Sequence, residues 1–431
     1  MRKYFLISIT YGIRTAVLLF CIINAGVSTA AGTSTDKRKL SLHEAVLKTL
    51  KYNPDLRVQE YAIRAQEGKI VQAELSPSPE LNFEIENALG TDTYKGVDQA
   101  QATLSIAWVL ERGTRQRYVN VARAGTSLVT IESDIKQLDA AAETGRRYLA
   151  SLAYQARMIN ADKAVQLAKE TIEDVRKLVN AGQTPAAELS RARVELARQK
   201  LEQEDIEHEL ESANRRLSAQ WGELNPDFEM VDGNITSLPE LASFETLKTR
   251  LSENPEFARL LSDRRLKKAE LDLEMAKVKS DWRFSAGIRH IKSTNDQALV
   301  AGINIPFGKS TRNTGRIVEA RANLEKTSLE EQAVRVRIET SLFVLYEKLQ
   351  HSQHRINTLS KHVIPPLQQV LKESRRAYKL GRYTYLEWRS AQTELLDAQI
   401  SLIEASVDAH RYVIEIERLT GVRVTQTTTR P

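Results

Sequence analysis

Between Thr114 and Asn180 the chain carries no proline. Apolar or small residues recur along it at alternating spacings of three and four: Leu128, Ile131, Ile135, Leu138, Ala142, Gly145, Leu149, Leu152, Ala156 and Ile159. Such spacing keeps one stripe on one side of a slightly underwound helix, the seam of a coiled coil. At roughly 1.5 Å per residue, a helix over that span reaches about 100 Å. No compact core has room for such a rod. A second stripe runs through Ile338, Leu342, Leu345, Leu349, Ser352, Ile356, Leu359 and Val363. There Pro365-Pro366 is expected to kink the helix without ending its pattern. Composition agrees: 18 Gly and 11 Pro in 431 residues, 6% aromatic and 27% charged, suit long helices better than sandwiches or disordered tails. The 62 basic and 56 acidic residues alternate nearly everywhere. They describe a solvated surface and give no nucleic-acid signal.

The two stripes belong to a tandem repeat. Asn53-Pro54-Asp55-Leu56 returns as Asn254-Pro255-Glu256-Phe257, and residues 181–201 resemble 380–400. Gly182 and Gly381, Ala192 and Ala391, Glu195 and Glu394, and Gly222 and Gly421 are each 199 positions apart. The first copy spans 36–222: a helix, strands at 80–89 and 99–110, a long helix at 112–180 and a helix at 184–222. The second spans 244–421: a helix, strands at 282–292 and 298–307, a long helix at 312–380 and a helix at 383–420. Residues 223–243 join them, and 422–431 form a tail.

Residues 1–30 read as a secretory signal peptide. Arg2, Lys3 and Arg14 flank an apolar run at 16–23, and small residues end at Ala30. The run is short for a membrane span. Cleavage there removes the sole cysteine, Cys21, so thiolate chemistry and disulfide frameworks are excluded.

The strand segments alternate strictly. Leu81, Phe83 and Ile85 oppose Asn82, Glu84 and Glu86; Ala102, Leu104, Ile106, Trp108 and Leu110 oppose Gln101, Thr103 and Ser105. In the second copy Phe284, Ala286 and Ile288 oppose Arg283, Ser285, Gly287 and Arg289. Leu299, Ala301, Ile303, Ile305 and Phe307 oppose Gly302 and Asn304. Strands of about ten residues with one apolar and one polar face fit a transmembrane β-barrel. A sheet packed on a soluble core has the same period. Four strands cannot close a barrel, and open edges are not tolerated in lipid. If they span, several chains must share one barrel.

The duplicated helix–hairpin–helix pattern, the Asn-Pro pairs and the tract at 303–324 resemble the TolC-like outer-membrane efflux channels over the whole mature chain. Residues 109–117 and 305–315 are similar to the strand-to-helix joints of the CzcC-type subgroup. That subgroup serves heavy-metal efflux pumps of the resistance–nodulation–division type. The resemblance implies a mainly α fold with a small β part. It implies a homotrimer, each chain giving four strands to a twelve-stranded barrel in the outer membrane of a Gram-negative bacterium and its helices to a long periplasmic α-barrel. It also implies a passive exit duct with neither catalysis nor cofactor. An inner-membrane transporter energises that duct, and a periplasmic adaptor docks on the helical tips.

The tips fall at Gly182-Gln183 and Gly381-Arg382, where Gly suits the left-handed end of one helix before the next begins. In the family, acidic residues just past the second tip narrow the periplasmic mouth. Glu387 matches the first such position, whereas Ser390 stands at the second. Three copies of Glu387 would concentrate cations, or Glu387 is simply a first-turn helix residue. Glu84, Glu86, Arg283 and Arg289 fall on polar strand faces. They would either tune a lumen or pair with one another.

Other constellations are weaker. Gly302 to Gly308-Lys309-Ser310 has one residue too many for a phosphate-binding loop, and Pro306 removes a donor. His351 and His354 share a helix face and His362 lies two turns further on, without a carboxylate or third imidazole at close spacing, so no metal site is assigned. His410 sits in an apolar seam. No catalytic nucleophile or metal motif is present. A surface coiled-coil adhesin would leave the strands without purpose, a periplasmic adaptor needs a Gly-rich β domain that is missing, and an export channel for organic toxins differs only in substrate.

Overall fold

The computed structural model describes residues 39–238, 242–307 and 313–421. The signal-peptide span, Gly308-Lys309-Ser310 and the tail at 422–431 lie outside the described residues. The first copy runs β1 (Lys39–Leu40), α1 (Leu42–Tyr52), α2 (Pro54–Glu74), β2 (Glu80–Glu86), β3 (Gln101–Leu110), α3 (Thr114–Asn180) and α4 (Ala186–Ser218). After β4 (Met230–Val231) and α5 (Phe244–Arg250), the second runs α6 (Pro255–Ala276), β5 (Trp282–Ile291), β6 (Asp296–Asn304), α7 (Thr314–Thr358), α8 (Ile364–Lys379) and α9 (Tyr385–Thr420).

Helix α3 is unbroken for 67 residues, about 100 Å at roughly 1.5 Å each. Its counterpart is divided: α7 passes through a π-turn, Leu359–Val363, into α8. Pro365 and Pro366 withhold the N–H groups that would bond the carbonyls of Lys361 and His362, and the helix widens where those bonds are lost. The seam of α3 holds at Ala142 and Leu149, which are buried, but Ile159 is 55% exposed. Burial passes instead to Ala161, Ala164, Val165, Ala168 and Ile172. An α-helix turns every 3.6 residues and drifts against a strict 3.5 repeat, so a stripe extrapolated over many turns rotates off the contact.

Each copy has its own core. Leu40, Ala45, Tyr148, Leu217, Trp221, Phe228 and Val231 form that of the first. Leu247, Leu251, Leu260, Val334, Ile338, Leu342 and Leu349 belong to that of the second. Ala142, Leu149 and Ala153 on α3 meet Ile403 and Ile414 on α9, joining the two.

The four long strands form one antiparallel sheet in the order β2-β3-β5-β6. Phe83, Leu104, Ile288 and Leu299 lie in one row across it, and Glu84, Thr103, Arg289 and Ala298 in another. β2 stops at Glu86, short of residue 89, because Asn87 and Leu89 take φ of 57° and 59° and leave the ladder. β6 starts at Asp296 and stops at Asn304, two residues before Pro306, which has no N–H for a ladder. A Cβ on Gly287 would sit 2.5 Å from the Leu104 carbonyl oxygen and 2.6 Å from Ser105 Cβ, so only glycine fits this close approach of β5 to β3.

No apolar cluster includes a residue of this sheet. Leu81, Phe83 and Leu299 are 73%, 66% and 89% exposed. A sheet lying on a soluble core would bury exactly these side chains. Within one chain nothing among the described residues covers them.

Candidate functional site

The recurring Asn-Pro pairs turn out to be clamps. The Asn53 side-chain oxygen accepts the N–H groups of Asp55 and Leu56 at 2.9 and 3.1 Å, capping α2, while its amide donates to the Gln220 carbonyl at 2.7 Å. Asn254 caps α6 through the Glu256 N–H at 2.7 Å and donates to the Leu419 carbonyl at 2.6 Å. Each asparagine thus ties the start of a copy to its end, two residues before Gly222 or Gly421. Proline at the first helical position costs no hydrogen bond there.

The tips are two copies of one backbone motif. Gly182 and Gly381 both take φ +70°. Gln183 N–H reaches the Leu178 carbonyl and Arg382 N–H the Ala377 carbonyl, both at 2.9 Å. Gly182 and Gly381 donate to the carbonyls of Val179 and Tyr378 at 3.0 and 2.9 Å. This is the six-to-one, five-to-two closure that ends a helix on a left-handed glycine.

Beyond the glycines the tips part company. Glu387 forms a capping box with Thr384: the Thr384 N–H and hydroxyl donate to its carboxylate at 2.7 and 2.9 Å, and the Glu387 N–H returns to Thr384 Oγ1 at 3.3 Å. These bonds favour the charged form and hold Glu387 below the usual carboxylate range. The equivalent Glu188 instead accepts the Thr184 hydroxyl at 2.5 Å and the Tyr378 hydroxyl of α8 at 2.8 Å. Of the two glutamates, Glu387 serves its own helix and Glu188 ties the copies together.

Behind the tips lies an apolar knot of Ile172, Val175, Ala192, Tyr378, Tyr385 and Trp388, with Tyr378 stacked on Trp388 at 5.0 Å. Above it Asp174, with its side chain 7% exposed, takes Arg375 Nε at 2.7 Å and Lys379 Nζ at 3.0 Å. Arg375 also reaches Glu170 at 3.0 Å. Burial pushes the Asp174 carboxyl up, but the bonds and charges of Lys379 and Arg375 outweigh it and leave the group below its ordinary range. Further ion pairs of α3 with α9, Arg418–Asp139 at 2.6 Å and Arg146–Glu415 at 2.5 Å, continue the contact between copies. The sequence reading named none of Asp174, Arg375, Tyr378 and Trp388. An available signal was that Tyr385 and Trp388 share a helix face one turn past a tip glycine.

On the polar face of the sheet, Arg283 pairs with Glu80 at 3.0 Å and Arg289 with Glu86 at 2.8 Å. Arg289 also donates to Thr103 Oγ1 at 2.9 Å and Gln101 Oε1 at 3.1 Å. Glu84 lies exposed in the same row as Arg289. His351, His354 and His362 are exposed on α7 and the π-turn. His410 is partly buried, and its Nε2 donates to the Ile235 carbonyl at 2.9 Å. Burial lowers its pKa and only partly yields to that bond. Among the described residues no three or more His, Cys, Asp or Glu side chains converge as a metal site, and no helix is long and apolar enough to cross a membrane.

The family model described as outer membrane efflux protein matches residues 46–223 and 260–422, one match in each copy. This chain belongs to that family. It is 26% identical over 387 residues to the cobalt-zinc-cadmium resistance protein CzcC of Cupriavidus metallidurans, covering 89% of this chain and 90% of CzcC. It is 25% identical over 290 residues to the nickel and cobalt resistance protein CnrC of the same organism, covering 65% of this chain and 68% of CnrC. The solved structure of CusC superposes with a TM-score of 0.73 at 16% identity, over 92% of this chain and 95% of that one. The fold is thus TolC-like, and the protein is an outer-membrane efflux protein with its helical part in the periplasm. A member of this family conducts; it has no reaction of its own to catalyse.

Proposed function

We propose that three copies of this chain close one twelve-stranded barrel and form the exit duct of a heavy-metal efflux pump. One observation carries the assembly: the sheet has two unpaired edges, β2 and β6, and an uncovered apolar face. Unpaired backbone groups are not tolerated in lipid, so β6 of one copy must meet β2 of the next. The cargo reading rests on CzcC and CnrC, which are resistance proteins for cobalt, zinc, cadmium and nickel. A periplasmic adaptor engages the tips at Gly182-Gln183 and Gly381-Arg382, and an inner-membrane transporter of the resistance–nodulation–division type supplies the energy. Glu84, Glu86, Arg283 and Arg289 line the lumen, and Glu387 faces the periplasmic mouth as a cation-concentrating ring.

Mass measurement of the detergent-extracted protein is expected to give three chains; a monomer defeats the shared barrel. Deletion of the protein is expected to lower tolerance to cobalt, zinc, cadmium or nickel salts. Unchanged metal tolerance with new sensitivity to dyes would make the cargo organic. Glu387→Gln is expected to lower cation conductance of the purified pore at low salt, and equal conductance removes the ring.

A further inference from the structure

At the end of the sheet nearest the helices, Trp108 stacks on Phe284 at 6.2 Å, and Trp282 lies 6.4 Å from Phe284. The register puts these rings on the apolar face. In an outer-membrane protein such rings mark the boundary between hydrocarbon and headgroups. Just past that boundary the Arg112 guanidinium lies over the Trp282 ring at 5.0 Å, and its backbone N–H donates to Asp281 at 3.2 Å. A cleft of about 590 Å³ opens beside it, between the start of α3, the end of α6 and the start of α7; Lys277, Lys279 and Arg316 are its cations, and Glu111 and Asp281 its carboxylates.

The charges at this level do not balance locally. Lys277 is held by Glu274 at 2.6 Å, Arg115 by Glu111 at 3.4 Å and Arg117 by Asp272 at 3.6 Å. Among the described residues Arg112 and Lys279 form no ion pair, and Arg316 acts only at longer range on the Glu274 carboxylate that Lys277 already holds; Asp281 also lines the cleft and accepts the Arg112 N–H. Arg112, seated on an interfacial tryptophan, Lys279 and Arg316 thus outnumber Asp281, the carboxylate left beside them, at headgroup height next to a polar cleft.

We propose that this collar binds the phosphate of an anionic phospholipid in the leaflet facing the helices. Arg112, Lys279 and Arg316 supply the charge, and the Trp108–Trp282–Phe284 face supplies the surface for the acyl chains. The proposal rests on the outer-membrane placement. Free phosphate would satisfy the cations alone and gain nothing from the adjoining apolar face.

The test is native mass spectrometry of the full-length protein extracted in detergent, titrated with phosphatidylglycerol or with zwitterionic phosphatidylcholine. Wild-type protein is expected to retain phosphatidylglycerol preferentially, with the preference fading as salt rises. The combined variant Arg112→Gln, Lys279→Gln, Arg316→Gln is expected to bind it about a hundredfold more weakly, from roughly 1 kcal/mol per cation at an anionic surface. Arg112→Lys with Arg316→Lys should retain most of the binding, which a loss of folding would not permit. Equal retention of both lipids by wild type, or full retention by the triple Gln variant, overturns the site. So does displacement of bound lipid by inorganic phosphate at equal concentration, which would make it a free-anion site. Fractionation of the same cells separates the two levels: protein absent from the outer membrane refutes the placement, whereas outer-membrane protein without lipid preference refutes only this site.

Discussion

At Gly182 and Gly381 the chain makes one turn twice, with the same φ and the same pair of closing bonds, yet the side chains behind the two turns have little in common. Where the second copy has Tyr378, Tyr385 and Trp388, the first has Val179, Ala186 and Leu189 at the positions 199 residues earlier. Large rings from one copy pack against aliphatic residues of the other, Ile172, Val175, Leu189 and Ala192, in a single shared cluster. Duplication supplied two equal turns. Divergence made them complementary, so the second copy seats on the first in one register. That asymmetry is open to attack one residue at a time.

The largest effect belongs to Trp388, which is fully buried. Trp388→Ala is expected to destabilise the protein by about 3–5 kcal/mol, through lost burial and the cavity left behind. Leu189→Ala, at the equivalent partly buried position, should cost less than about 2 kcal/mol. Denaturant unfolding in detergent compares them. Equal losses would mean that the rings are not what joins the copies. Trp388→Phe should be mild, because the indole N–H has no acceptor among the described residues.

Asp174 comes next. Asp174→Asn leaves Arg375 and Lys379 without their shared carboxylate, but those cations are 35% and 46% exposed, and solvent screening limits the loss to about 1–2 kcal/mol. The pH dependence has a definite sign. A carboxyl whose pKa is lower folded than unfolded contributes stability above its unfolded value and loses it as pH falls through the folded one. Acid unfolding of wild type should therefore steepen below the ordinary aspartate range, and the Asn variant should lose that part of the curve. The partly buried His410 adds a milder decline, beginning as pH drops below the ordinary histidine value. Glu373 stands 199 positions after Asp174 and is exposed, so the buried carboxylate of the first copy has no buried counterpart in the second.

How much of this was legible beforehand follows the range of the forces involved. The tip glycines, the strand alternation and the long helices depend on local geometry, which residue type and period report directly. The Asn-Pro pairs were visible as repeats, but their clamp on Gln220 and Leu419 joins residues 167 and 165 positions apart, and spacing along one helix says nothing of that. Ile159 failed for a subtler reason: a periodic stripe carries a phase, and the phase accumulates error over 67 residues. Glu84, Glu86, Arg283 and Arg289 were legible as one polar face. Which of them would find partners was not, because Arg283 reaches Glu80, a residue outside that set, across an intervening strand.

Smaller effects test what the tips share. Gly182 and Gly381 have open space where a Cβ would go, so only backbone strain opposes Ala at either. Each substitution is expected to cost about 1 kcal/mol, and the two should match. A clear inequality would show that the equal turns are not equally loaded.

The smallest expected effect concerns the two threonines. Thr384 holds Glu387 in the capping box, whereas at the other tip Pro185 precedes α4 without a side-chain cap and Thr184 only shares Glu188 with Tyr378. Thr384→Ala should therefore fray the first turn of α9, seen as faster amide hydrogen exchange at Glu387 and Trp388. It should also raise the Glu387 pKa part of the way toward its ordinary value, since the Thr384 hydroxyl bond is lost while the larger cause of the depression, the Thr384 backbone N–H, remains. Thr184→Ala should leave α4 exchange nearly unchanged, because no threonine bond caps that helix. At neutral pH Glu387 remains ionised in the Thr384→Ala variant, so cation conductance should fall far less than in Glu387→Gln. A drop of the same size in both would mean that the carboxylate's position, held by Thr384, matters more at the mouth than its charge.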